Sequence, residues 1–134
     1  MPDRAQILKT IDDAYAARAT GDKAAVRTFL APGASFRLAG DPAMLPKVRS
    51  ALEGLDAAGA IDALIDAFTF HRQERLNAVV DGNKAAVHWR VTLSSAGGEK
   101  VTTELYDLWT IDEAGKLTSL TQFADTALIA ALTA

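Results

Sequence analysis

Asp107, Tyr15, Trp89 and Trp109 are the residues here whose types could do chemistry together. Asp107 sits in the run Glu104-Leu105-Tyr106-Asp107-Leu108-Trp109. In a strand, successive side chains point to opposite faces, so Asp107 shares its face with Leu105 and Trp109. That face is apolar. An ionised carboxylate there is costly unless paired or hydrogen-bonded, and burial raises its pKa. A neutral buried acid can donate a proton or a hydrogen bond to a ligand oxygen, so Asp107 reads as a general acid or base in a pocket. Two other readings stay open. Asp107 could bond Tyr15 or Gln122 and only fix the packing, or a one-residue bulge could turn it to solvent.

Tyr15 belongs to the inner face of the first helix, where its hydroxyl could donate to a developing oxyanion. Alternatively it is a core tyrosine with a wet tip. Trp89 and Trp109 could wall a ring-shaped ligand, or be plain core. Asp125 is either a helix N-cap or a second carboxylate near the pocket. His88 alternates onto the opposite sheet face beside Arg90 and Tyr106, a place for a sheet surface or a subunit contact, and His71, in the charged run His71-Arg72-Gln73-Glu74-Arg75, either reaches the pocket mouth or, the reading favoured here, is an exposed strand residue. Gly97-Gly98 is a hairpin turn and no phosphate loop, since no helix with a P-loop lysine follows.

The elements that must hold these groups read as helices first and strands second, an α+β order. Residues 4 to 19 carry Ile7, Leu8, Ile11, Ala14, Tyr15 and Arg18 at three- and four-residue spacing, an amphipathic helix ended by Gly21. A second helix is expected over 23 to 31, closed by Pro32-Gly33, and a short strand over 34 to 39. Asp41-Pro42 starts a helical region running to about residue 68, with breaks expected at Gly54 and Gly59. Strands follow over about 70 to 80, 85 to 95, 100 to 111 and 116 to 123, with Asp81-Gly82-Asn83 as a hairpin turn. Residues 125 to 134 read as a short apolar helix. The sheet face with Trp89, Val91, Leu93, Leu105 and Trp109 needs a cover, and the helices before residue 68 supply it. A sheet wrapped around a helix layer suggests a pocket between them.

The 134 residues are 49% hydrophobic and 23% charged, enough for one domain with a real core. The net charge of −3 argues against a nucleic-acid or anionic-membrane partner, since both need a basic surface. With no cysteine, disulfides, thiolate nucleophiles and Cys-based metal sites are excluded, and two distant histidines make no metal motif. Nothing approaches the roughly 18 consecutive apolar residues of a membrane helix. Met1-Pro2-Asp3-Arg4 lacks the apolar stretch of a signal peptide, so the expected compartment is the cytoplasm.

The chain resembles the nuclear-transport-factor-2-like superfamily, and within it the SnoaL-like group. Tyr15-Ala16-Ala17-Arg18-Ala19-Thr20-Gly21-Asp22 is similar to the end of that family's first helix and its Gly-Asp turn. The stretch from Asp81 to Trp89 is similar to its second hairpin, and Glu104 to Trp109, Gly115-Lys116-Leu117 and Phe123-Ala124-Asp125 to its C-terminal signature. The resemblance implies a single domain over 1–134: a cystatin-like, cone-shaped roll with helices packed on a curved, mainly antiparallel sheet. It implies a pocket at the wide end and a homodimer through the outer sheet face. It also implies chemistry of the ketosteroid isomerase and polyketide cyclase kind, which moves protons next to carbonyls with no metal or organic cofactor.

Carried over residue by residue, Asp107 stands where the resemblance implies the protonated Asp of the isomerases' oxyanion hole, a neutral carboxyl that donates a hydrogen bond. The position of their carboxylate base holds Leu38, and the helix Tyr is displaced by one, with Ala14 in its place and Tyr15 beside it. Asp107 and Asp125 are similar in placement to an acidic pair of the cyclases, with Trp109 where those carry a His. The expected function is binding of an apolar small-molecule ligand. Asp107 and Tyr15 are the candidate catalytic groups, and Trp89, Trp109, Leu38, Gln122 and Asp125 the candidate ligand contacts. The alternative is a non-catalytic ligand-binding or dimeric interaction domain.

Overall fold

The structure is a computed structural model that describes all 134 residues. Helix α1, Arg4–Thr20, begins at a capping box. The Asp3 side chain accepts from the Gln6 N–H and the Gln6 side chain accepts from the Asp3 N–H, which satisfies two of the donors a helix start leaves free. It ends at Gly21, whose φ of 72° is left-handed and open to glycine at little cost. Its inner stripe, Ile7, Leu8, Ile11, Ala14 and Tyr15, is buried. Asp22 caps α2, Lys23–Phe29.

Strand β1, Leu30–Leu38, follows with no gap, so the expected break at Pro32-Gly33 does not exist. Those two residues sit in an edge strand where the pairing with the next strand is irregular between Leu30 and Ser35. Proline and glycine are tolerated at such an edge because no ladder hydrogen bond depends on them. The segment after it is a 3₁₀ turn, Pro42–Met44, then α3, Pro46–Leu52, and α4, Ala57–Ala67. The break at Gly54 is present, at a φ of 74°. The one expected at Gly59 is not. Asp56 caps α4 by accepting from the Gly59 N–H, so this glycine lies in the first turn, where the cap outweighs its weak propensity.

Four long strands complete the chain: β2, Phe68–Asp81; β3, Lys84–Ser95; β4, Val101–Ile111; and β5, Leu117–Ala124. Helix α5, Thr126–Leu132, closes it. The sheet order is β1-β5-β4-β3-β2, antiparallel throughout except for β1 alongside β5. The fold is α+β: five helices packed on a five-stranded, mostly antiparallel, curled sheet. Irregular pairing at Phe70/Arg72 and Arg75/Asn77 in β2 is where such strands bend.

The concave face carries Val87, Trp89, Val91, Leu93, Leu105 and Trp109, each at most 5% exposed. Helix α1 lies across it, tied at its flank by a bidentate ion pair from Arg75 on β2 to Asp12 (2.9 and 3.1 Å). The outer face leaves Tyr106, Leu108 and Phe123 exposed. No helix is long and apolar enough to cross a membrane.

Candidate functional site

Between α1 and the concave face lies a cavity of about 90 Å³. On the scale where one water needs roughly 10–15 Å³, this is a room rather than a packing defect. Seventeen of its nineteen lining residues are hydrophobic; Arg18 and Gln122 are the exceptions. Tyr15, Trp109, Leu38, Phe36 and Leu105 are among the walls. A second, more polar hollow shares Phe36, Leu38 and Val48 with it and runs out toward Asp41 and Arg49.

Helix periodicity places Tyr15 and Arg18 one turn apart on the same face of α1, and strand alternation places Asp107 and Trp109 together on β4. In register, Asp107 lies opposite Gln122 on β5 and Val87 on β3. The result is one connected group. The Tyr15 hydroxyl shares a hydrogen bond with Asp107 Oδ2. Gln122 Nε2 donates to the same oxygen at 3.3 Å, and Trp109 Nε1 donates to the Tyr15 hydroxyl at 3.2 Å. The Tyr15 ring stacks on Trp89 at 4.2 Å between centroids and meets Trp109 edge-on at 6.1 Å. Stacking on one side and an edge contact on the other hold the phenol in one orientation.

Asp107 is wholly buried, at 0% exposure. It makes no ion pair, and its Oδ1 has no hydrogen-bond partner. An anion with one bare oxygen in an apolar surrounding is far more costly than a neutral acid. Burial accordingly pushes its pKa up to about 8, opposed only by the Gln122 hydrogen bond. At neutral pH Asp107 is therefore mostly a carboxylic acid. In the structure the Tyr15 O–H donates to this carboxyl; a protonated Asp107 can instead donate to the phenol oxygen and free the tyrosine O–H for a ligand.

The structure sorts the sequence candidates. Tyr15, Trp109, Leu38 and Gln122 line the cavity, and Asp107 stands behind Tyr15 rather than on the wall. The packing alternative for Asp107, a bond to Tyr15 or to Gln122, is therefore present in full, without removing the carboxyl from reach of the cavity through the phenol. Trp89 is corrected as a ligand wall. The Tyr15 ring covers it, and it is absent from the lining. Asp125 is corrected as a ligand contact. It is exposed and caps α5 by accepting from the Leu128 N–H at 3.1 Å. His88 pairs with Glu104 on the outer face (2.6 Å) and the exposed His71 meets Ser94 Oγ (2.8 Å), both away from the cavity lining. No three His, Asp or Glu side chains gather as metal ligands would.

Arg18 is the group the sequence reading passed over. It appeared there only as one more residue of a helical stripe. The available signal was its position, a cation in register with Ile11, Ala14 and Tyr15 on the inward face. It is half-buried, its guanidinium lies 3.9 Å over the Phe70 ring, and burial lowers its pKa to about 10.

The SnoaL-like domain model matches residues 11–120. No protein with a curated description matches the sequence. Among solved structures, the chain is similar to TsrD from Streptomyces laurentii (TM-score 0.73, 16% identity, 98% of this chain and 97% of that one). It is similar to a candidate SnoaL-like polyketide cyclase from Jannaschia sp. CCS1 (0.72, 16%, 100% and 99%). It is also similar to TerC co-crystallised with polyporic acid (0.71, 17%, 95% and 97%). At these identities the likeness is one of fold, and it supplies the cone-shaped roll expected of the sequence.

Proposed function

The chain belongs to the SnoaL-like domain family, and from that premise we propose that it binds a small apolar carbonyl compound and promotes proton transfer next to the carbonyl, with Tyr15 as the group that touches the ligand. One observation carries this reading: a hydroxyl on the wall of an apolar cavity receives a hydrogen bond from Trp109 and is backed by a buried acid. The presence of a polyketide cyclase candidate and of a complex with polyporic acid among the structural neighbours supports the ligand class.

In the proposed step, the Tyr15 O–H donates to the ligand carbonyl oxygen. As the α-carbon proton leaves, its bonding electron pair moves toward that oxygen, and the growing negative charge is held by the Tyr15 hydroxyl. The Trp109 N–H and the Asp107 O–H polarise the phenol from behind. Donors fixed in advance in a water-poor cavity stabilise such charge more than water does. Asp107 acts through Tyr15 and is a positioning residue. The cavity wall carries no carboxylate or imidazole, so the α-proton passes to water or to a basic group of the substrate itself.

The test is α-deuterium exchange of 2-tetralone in D₂O, followed by NMR. Tyr15→Phe keeps the ring on Trp89 and removes the hydroxyl. Exchange should fall by about 10²–10³-fold, the cost of one oxyanion donor, with binding retained. In the wild type the rate should drop as pH rises through about 8, where Asp107 ionises, and Asp107→Asn should lose that drop. Equal rates in wild type and Tyr15→Phe would end the proposal.

A further inference from the structure

The proposal above leaves Arg18 unused, although it is one of only two polar residues on the apolar wall that are not hydrophobic by type. Its Nη2 donates to the carbonyl oxygens of Leu64 (3.1 Å) and Phe68 (2.9 Å), at the end of α4 and the start of β2. Those bonds are structural and use one nitrogen. A guanidinium has five N–H donors in a rigid plane. Nη1 and Nε make no hydrogen bond to the protein, and no carboxylate pairs with the charge. The ring of Phe70 beneath it fixes the plane. A half-buried cation with spare donors and no counter-charge, facing an apolar room, is an incomplete ion pair.

We infer that Arg18 is an anion anchor, and that the cavity takes an apolar ring compound bearing one carboxylate or acidic enol besides the oxygen held by Tyr15. The inference rests on the cavity being the ligand site, as proposed above. The spacing suits it. Tyr15 and Arg18 are three residues apart on α1, so their side chains leave the helix on one face roughly 5–6 Å apart at Cβ. Two oxygens of one small molecule can meet both donors. The planar, bidentate geometry of arginine matches a carboxylate or an enolate flanked by a second oxygen. The rest of the wall is hydrocarbon and rewards a ring system.

The experiment compares two shape-matched probes, naphthalene-2-carboxylate and naphthalene-2-carboxamide, by titration calorimetry at pH 7.5, with 2-tetralone as the neutral reference. The wild type should bind the carboxylate about tenfold to a hundredfold more tightly than the amide, the range for a charge-assisted hydrogen bond. Arg18→Met should erase the preference, read as the ratio of carboxylate to amide affinity within the same variant. Arg18→Lys keeps the charge and should retain part of the preference, which holds the comparison together if the Met variant loses the Leu64 and Phe68 bonds and fails to fold. Equal affinity for acid and amide in the wild type, with 2-tetralone still bound, overturns the anchor and leaves the cavity reading standing. A preference that survives Arg18→Met also overturns it. If none of the three probes binds, the cavity reading fails and the anchor fails with it.

Discussion

Replacing Asp107 by Asn should make the protein's stability less sensitive to pH, and the size of that change follows from burial. The folded-state pKa of Asp107 is raised to about 8 from 3.8. The folded state therefore binds this proton more tightly than the unfolded chain does, and stability falls as pH rises between those values. The contribution is fully present below 3.8, declines by about 1.4 kcal/mol per pH unit, and is flat above about 8. Between pH 5 and pH 8 the decline amounts to about 4 kcal/mol. That is an upper figure, because local opening that wets the carboxyl limits the penalty. Asn carries no titrating proton and keeps an acceptor for Gln122 and Tyr15. Its amide nitrogen, placed where Oδ1 now has no partner, costs about 1–3 kcal/mol at every pH. The two effects give a crossing. The variant should be within about 1 kcal/mol of wild type at pH 5 and more stable by about 2–4 kcal/mol at pH 8. Urea unfolding at pH 5, 6, 7 and 8, read from the fluorescence of the buried Trp89 and Trp109, measures this directly, with the midpoints moving apart by roughly 2 M across the range. Every other titrating group is common to both proteins and drops out of the difference. Parallel curves for the two proteins would refute the claim that Asp107 is held neutral.

Leu38 lines both hollows, so Leu38→Trp should fill the cavity and abolish binding of 2-tetralone. Thermal unfolding should move by only a few degrees, since overpacking costs about 1–3 kcal/mol; undiminished binding by calorimetry would mean the ligand sits elsewhere. The outer face pairs Tyr106 with Phe123, both exposed, with Leu108 beside them. A homodimer through this face is expected, and light scattering should give twice the chain mass for wild type and one chain mass for Phe123→Glu, whereas a monomeric wild type would contradict it.

Strand alternation made the inner side of the sheet legible. The pattern Leu105-Asp107-Trp109 put the carboxyl on the inner face, and the observed register confirms that placement because the face is buried and a one-residue slip would expose it all. Alternation could not show depth. Trp89 and Trp109 are on the same face, yet only Trp109 reaches the cavity, because Tyr15 from α1 lies on Trp89. That distinction depends on where a helix far away in sequence settles. The same limit hid Arg18, whose surroundings are the end of α4 and the Phe70 ring, nearly fifty residues on. Boundaries failed where local signals conflicted. Pro32-Gly33 ordinarily stops a chain element, but at an edge strand beside β5 it stops nothing. Gly59 has weak helix propensity, but Asp56, directly before the helix, supplies the cap that starts α4 there.

The two unusual side chains of the cavity bear on each other. Asp107 would be more stable as an ordinary apolar residue in that place, and a cation within ion-pair distance would stabilise it as a carboxylate. Neither arrangement is present. Arg18 shares the helix with Tyr15 but makes no ion pair with Asp107, and its Nη2 is held toward the backbone of Leu64 and Phe68. The separation leaves the acid with no cation to hold it ionised and the cation without an internal partner, so Arg18 is open to a ligand anion while Asp107 acts only through Tyr15. A ligand anion seated on Arg18 adds negative charge near Asp107 and favours its protonated form still further, and the protonated form is the one that lets Tyr15 donate outward. Under the proposed function, binding and the proton state that the proton transfer calls for are thereby coupled in the same direction, through two residues three positions apart on one helix and one carboxyl on the strand beneath it.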